Sequence, residues 1–335
     1  MKRRLEKALW VAAAASVAAA VHLYAVFFTP ASRHAEPKTV VIPKGASSRL
    51  VAASLEKAGV VRDADDFLLV AGLMGAHKRI RAGEYELTTA MTPLEVLQSL
   101  TRGLSKQYTV TFPEGYNIRQ MAALLEAKGL ADREEFMARA TDRELARSLG
   151  IDADGLEGYL FPDTYKFTRA MSVDDMIAAM VARFREVYSG EFERLQEERG
   201  MTLKEVVTLA SIIEKETAVP EERRRISAVF HNRLRRGIRL ESDPTVIYAI
   251  EDFDGNLTRK HLRTPTPYNT YVNYGLPAGP IANPGRASIE AALNPTDEKY
   301  LYFVSRNDGT HYFSKSLAEH NRAVYKYQKL RKRGR

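Results

Sequence analysis

Residues 40–61, VVIPKGASSRLVAASLEKAGVV, return seventy positions later as residues 109–131, TVTFPEGYNIRQMAALLEAKGLA. Pro43 aligns with Pro113, Gly45 with Gly115, Leu55 with Leu125, Glu56 with Glu126 and Gly59 with Gly129. Each copy opens on residues suited to a strand, turns at Pro-x-Gly, continues as an amphipathic helix and stops at a glycine. An acidic stretch leading into a second helix follows each copy, RDADDFLLVAGLM after the first and DREEFMARAT after the second. Self-similarity at a fixed offset means one supersecondary unit used twice. Short strands alternating with short helices set the expected class as α+β.

The first copy closes with AGEYELTTAMTPLEVLQSLTRG (residues 82–103), a strand followed by a Thr-Pro helix start and a helix. Residues 39–104 therefore read as a small α/β module, whose pattern resembles a LysM-type glycan-binding module; plain scaffolding is the other reading. Residues 105–325 are expected to form a larger mixed α+β domain, in which 107–140 repeat the strand-turn-helix unit.

Upstream, MKRRLEK (residues 1–7) is basic, and residues 8–28, ALWVAAAASVAAAVHLYAVFF, carry no formal charge. A membrane-spanning helix needs roughly 20 apolar residues. The basic flank keeps the N-terminus in the cytoplasm and sends the remainder outward. A cleaved signal peptide is the competing reading, because ASVAAAV offers small residues for cleavage, but the apolar run exceeds a typical h-region of roughly 7–15 residues. Either way, the chain beyond the linker at 29–38 is exported, and with the helix retained it is a single-pass membrane protein with a cytoplasmic N-terminus.

The formal net charge is +8, which suits an anionic membrane surface or an acidic polymer such as a cell-wall glycan. Part of it sits in the tail at 326–335, with Lys326, Lys329, Arg331, Lys332, Arg333 and Arg335. No zinc-finger spacing, aromatic RNA platform or basic zipper accompanies that tail, so nucleic acid is not an expected partner. Cysteine is absent, which removes disulfides and thiolate chemistry. The seven histidines show no ligand spacing, and neither a metal nor another cofactor is expected. Ser54-x-x-Lys57 lies inside the repeat helix without a Lys-Thr-Gly partner, which argues against a penicillin-binding acyltransferase.

LKEVVTLASIIEKET (residues 203–217) has helical spacing of Val206, Leu209, Ala210 and Ile213. Two glutamates close it. At about 100° per residue, Glu214 and Glu216 fall about 160° apart and cannot face one cleft. Glu216 lies beside Leu209, Ile212 and Ile213, the bulkier edge, whereas Glu214 lies beside Val207, Ala210 and Ser211. Desolvation raises a carboxyl pKa, as a general acid near neutral pH requires. Glu216 is thus the candidate proton donor and Glu214 a supporting hydrogen-bond or salt-bridge residue, with two solvated edge glutamates as the alternative. Farther on, TPTPYNTYVNYGLPAGPIANPG (residues 264–285) has five prolines and three tyrosines. It cannot form regular structure, and a loop of this length in a compact domain is usually functional.

Four stretches, LEGYLFPDTY, LASIIEKETAVPEERRRISAVFHNRLRRGIRLESDPTVIYAI, the proline-rich loop and YLYFVSRNDGTHYFS, together resemble the endolytic murein transglycosylase family, the YceG-like proteins. The likeness runs from about residue 39 to about residue 327. It implies a membrane anchor, a LysM-like subdomain and an extracytoplasmic catalytic domain. It also implies a cofactor-free enzyme that cleaves the β-1,4 bond between N-acetylmuramic acid and N-acetylglucosamine inside glycan strands, leaving 1,6-anhydro ends. By the same likeness the second glutamate of Glu-Lys-Glu, Glu216, is the catalytic acid. Asn232, Asp243, Thr245, Tyr268 and Asn269 lie in matching motifs and are expected to bind or support the substrate. Glycan strands, the inner membrane and peptidoglycan synthases are the implied partners. The alternatives are a non-catalytic glycan-binding scaffold of the wall-synthesis machinery and a lysozyme-type hydrolase. His231, where the family has an apolar residue, is not expected to be catalytic.

Overall fold

The computed structural model describes residues 2–217 and 219–329. The basic residues Arg331, Lys332, Arg333 and Arg335 of the tail lie outside the described residues. The chain divides into two compact units, Met1–Thr109 with Lys166–Ser172, and Val110–Tyr165 with Val173–Arg335.

In the first unit, α1 (Lys2–Phe28) leads to β1 (Pro37–Ile42), α2 (Ser48–Lys57), α3 (Ala64–Leu73), β2 (Gly83–Thr88) and α4 (Pro93–Arg102). Antiparallel pairing of β1 with β2 sets Val40 opposite Tyr85 and Ile42 opposite Gly83. Val40 and Ile42 alternate inward and join Val51, Leu55, Phe67, Tyr85 and Leu100 in one core. Leu9–Phe28 of α1 is apolar and long enough to cross a membrane. The last turn of that helix also enters the core, with Val26 buried at 5% exposure and Phe27 packed against it.

The two copies of the repeat share their turn chemistry. Gly45 and Gly115 hold φ of 77° and 78° after the strand, and Gly59 and Gly129 hold 72° and 63° after the helix. At those values a side chain would clash with the backbone, which accounts for glycine at all four positions. Ser47 caps α2 and Asn117 caps the helix that follows it at Ile118, each accepting from an amide three residues on.

Strands β3 (Tyr108–Thr111) and β4 (Thr164–Phe167), each with residues in both units, pair in a two-stranded sheet, and the second unit contains α5 (Ile118–Ala127), α6 (Arg133–Ala140) and α7 (Arg143–Ser148). Helices α8 (Val173–Tyr188) and α9 (Glu191–Arg199) then lead to α10 (Leu203–Glu216). After it come α11 (Pro220–Arg235), α12 (Asp243–Tyr248), α13 (Arg259–Arg263) and α14 (Arg286–Leu293). A hairpin of β5 (Tyr302–Ser305) and β6 (His311–Ser314), then α15 (Leu317–Val324) and a π-helical turn (Tyr325–Lys329), follow. The whole is a mixed α+β chain with one apolar N-terminal helix. No helix or strand forms between 264 and 285.

Helix α10 departs from the amphipathic form that its sequence suggests. Every residue from Val206 to Ile213 is buried, Thr208 and Ser211 included. The cause is packing on more than one side, by α11 and α14, with the proline-rich loop over Ser211, whose hydroxyl accepts from the Ile281 amide at 3.0 Å. The first turn, Leu203–Glu205, and the final turn, with Glu214, Lys215 and Glu216, escape this enclosure.

Candidate active site

The last turn of α10 presents its two glutamates to different surroundings. Glu214 Oε2 accepts from the Gly285 amide at 3.0 Å, and Arg223 lies 3.7 Å from its other oxygen. Gly285 precedes α14, so Glu214 pins the start of that helix. Burial and the Glu214 charge raise the pKa of nearby Glu114. Lys215 points outward and donates to the Gly115 carbonyl at 3.2 Å.

Glu216 faces a cavity of about 430 Å³, lined also by Arg233, Asp243, Tyr271, Phe303 and His311. Its Oε1 accepts from Ser242 Oγ at 2.5 Å. Burial raises its pKa from an ordinary 4.5 to about 7. The Asp243 charge adds to the rise, while the Ser242 hydrogen bond and the charges of His311 and Arg233 oppose it.

Ser242 is held by a strained turn. Glu241 before it adopts φ of 50°, one of two non-glycine residues with positive φ among the described residues. The Ser242 amide donates to Thr270 Oγ1 at 3.0 Å, and Thr245 Oγ1 donates to the Ser242 carbonyl at 2.7 Å. Arg233, itself buried, donates to the carbonyls of Arg239 and Leu240 at 3.0 Å and to that of Leu301 at 2.7 Å. These bonds tie α11, the turn and the β5 hairpin around one wall of the cavity. Across it, His311 Nδ1 lies 2.6 Å from Glu222 Oε2.

Of the residues singled out in the sequence, Glu216 and Asp243 line this cavity together, and Asp243 Oδ1 accepts from Tyr271 Oη at 2.5 Å. Thr245 stands behind it, fully buried and bonded to Thr270 Oγ1 at 2.8 Å. Asn232 is also buried, and its amide donates to the carbonyls of Glu298 and Tyr300 at 2.8 and 2.9 Å. Asn269 donates to the Thr264 carbonyl at 2.8 Å and accepts from the Tyr271 amide at 2.9 Å, bracing the proline-rich loop from within. Tyr268 lines a different cavity. His231 sits beside the Ala292 carbonyl at 2.8 Å, and burial lowers its pKa. Among the described residues no group of three or more His, Cys, Asp or Glu side chains could hold a metal ion.

Sequence reasoning assigned no role to Ser242, Tyr271, His311 or Glu157. Ser242 and Glu157 stand inside the quoted stretches, but nothing in their local spacing marks them. Their partners are 26 positions away for Ser242 and up to 126 for Glu157.

Residues 40–326 match the model of the YceG-like family. The chain belongs to the YceG-like family. This YceG-like chain is 34% identical over 314 residues to a protein of Bacillus subtilis named endolytic murein transglycosylase, covering 87% of this chain and 86% of that one. A protein of the same name from Streptococcus pneumoniae is 30% identical over 318 residues, and the match spans 57% of its length. A crystal structure of a YceG-like protein from Listeria monocytogenes superposes with a TM-score of 0.59 at 33% identity, covering 86% of this chain and 98% of that one.

Proposed function

We propose that this protein is an endolytic lytic transglycosylase of peptidoglycan, cleaving the MurNAc-β-1,4-GlcNAc bond within glycan strands, with Glu216 as its acid and then its base. The observation that carries the reading is a carboxyl with a pKa near 7, set in a cavity and aimed by Ser242. Near neutral pH a large share of Glu216 carries the proton, which it delivers to the leaving glycosidic oxygen. The oxocarbenium-like state that follows lies beside the Asp243 carboxylate, whose negative charge stabilises it. The nucleophile is the muramyl C6 hydroxyl, tethered to the ring it attacks, so proximity replaces the second carboxylate that a hydrolase needs. Glu216, now ionised, accepts the C6 hydroxyl proton and is reset. The product is a 1,6-anhydro ring.

The first unit is proposed to be a LysM-like module that adds glycan affinity and positioning without chemistry. The anchor is proposed to be retained, with the N-terminus in the cytoplasm and both units outside the inner membrane. Burial of Val26 in the core of the first unit supports retention, because cleavage near residue 20 to 30 would cut through or release that turn. Acting at the membrane surface, the enzyme would meet peptidoglycan synthases and terminate or limit nascent strands.

Mass spectrometry of glycan strands digested by the full chain in detergent tests the reading. Anhydromuramyl ends are expected; reducing ends alone would make the protein a hydrolase, and no cleavage would leave it a scaffold.

A further inference from the structure

A second cavity of about 400 Å³ in the catalytic unit lies around Glu157, Tyr248 and Tyr268. Arg119, Lys204 and Gly279 also line it. The Tyr248 and Tyr268 rings meet at 4.9 Å, and the Arg119 guanidinium lies 5.4 Å from the Tyr248 ring centre. Glu157 is locked in place by donors from three segments: the Ile118 amide at 3.2 Å, Asn283 Nδ2 at 3.1 Å and Tyr248 Oη at 3.0 Å. The proposed cleavage chemistry uses none of these groups.

Two segments connect this cavity to that of Glu216. Helix α12 begins with Asp243 at the Glu216 cavity and ends with Tyr248 at the second. Five steps of 1.5 Å separate their Cα atoms along the helix axis by about 8 Å and turn them about 140° around it, so the two cavities lie on different sides of α12. The proline-rich loop likewise places Tyr271 in the first cavity and Tyr268 in the second. A strand that occupies both cavities passes around this short helix and needs several saccharide rings to do so.

We propose that the second cavity is a distal saccharide subsite, holding a ring of the same glycan strand whose scissile bond lies at Glu216. The proposal rests on the glycan-cleaving reading above and deepens it. A paired-tyrosine wall offers flat apolar area to the C–H face of a pyranose, while Arg119, Lys204 and Glu157 supply donors and acceptors for hydroxyl and acetamido groups, the mixture usual in small-molecule sites. A strand gripped at two places along its length must extend beyond the cut, so cleavage inside long strands is favoured over trimming of ends.

Isothermal titration of the full-length Glu216→Gln protein in detergent micelles, with peptide-free glycan strands of graded length, tests this without cleavage. Affinity is expected to rise with length. Tyr268→Ala is expected to remove most of the rise, a loss on the order of ten-fold for the longest strands. Gly279→Leu supplies an independent plug: a Cβ there meets only the Tyr268 hydroxyl, at 3.7 Å, and the added side chain fills the cavity. Its expected effect is the same loss. A folded variant of either kind, judged by thermal melting, that keeps the length dependence of its parent overturns the subsite and leaves the role of Glu216 standing. Failure of the parent to bind any strand overturns the subsite and the proposed function together.

Discussion

Ser242 Oγ donates to Glu216 Oε1 across 2.5 Å, joining the end of α10 to the residue that precedes α12. The bond engages one oxygen of the carboxyl, which leaves the other to carry the proton. It also favours the ionised form, in opposition to the burial that raises the pKa.

Glu216→Gln is expected to abolish anhydromuramyl products. Glutamine keeps the shape and still accepts from Ser242 but delivers no proton, and general acid–base catalysis is worth roughly 10²–10⁴-fold. Glu214→Gln is expected to leave cleavage within about ten-fold of the parent, because Glu214 holds the Gly285 amide and faces Arg223 instead of the cavity. Product analysis on the two variants, with circular dichroism to confirm folding, settles it. A dead Glu214→Gln beside an active Glu216→Gln would reverse the assignment.

Ser242→Ala removes the bond that favours the Glu216 carboxylate, so the pKa should climb further above 7. The protonated acid is the form that starts the reaction. The basic limb of the kcat/KM profile should therefore move to higher pH, while the maximal rate drops about ten-fold because the carboxyl loses its aim. A basic limb at an unchanged or lower pH would show that another group sets it.

Glu157 links stability to pH. Its folded pKa is about 7, raised by burial from an ordinary 4.5. Below 4.5 both states are protonated and the group has no effect. Between 4.5 and 7 the folded protein holds more protons than the unfolded chain, so stability falls as pH rises, by on the order of 3 kcal/mol in all. Glu157→Gln should flatten that slope, measured as melting temperature from pH 4.5 to 8. The amide oxygen continues to accept from Asn283, and the Tyr248 hydroxyl can turn to accept from the new NH₂. A slope that persists in full would place the linkage in other groups.

Val26→Ala should lower the stability of the first unit by about 1–2 kcal/mol, since it removes two buried methyl groups at the end of the anchor. Thermal melting in detergent checks this. Mass analysis of protein from the membrane fraction should recover the original N-terminus. A mature form beginning near residue 20 to 30 would exclude the retained anchor.

Local features were legible in the sequence because they depend on near neighbours. Positive φ at Gly45, Gly59, Gly115 and Gly129 follows from turns and helix ends that only glycine closes without strain. The apolar length of residues 8–28 needs nothing beyond the thickness of a bilayer, and the opposed directions of Glu214 and Glu216 follow from helical periodicity. The enclosure of α10 was hidden, because small polar residues such as Thr208 and Ser211 look exposed until another segment supplies their partners. Asn232, Thr245 and Asn269 were marked as substrate-binding or supporting by the motifs they lie in, and their side chains hold backbone carbonyls and hydroxyls in the folded chain. The meeting of Ser242 with Glu216, and of Glu157 with Asn283 and Tyr248, was decided only by the folded chain. A carboxyl pKa depends on the dielectric and the donors within a few ångströms, and those come from residues 26 to 126 positions away.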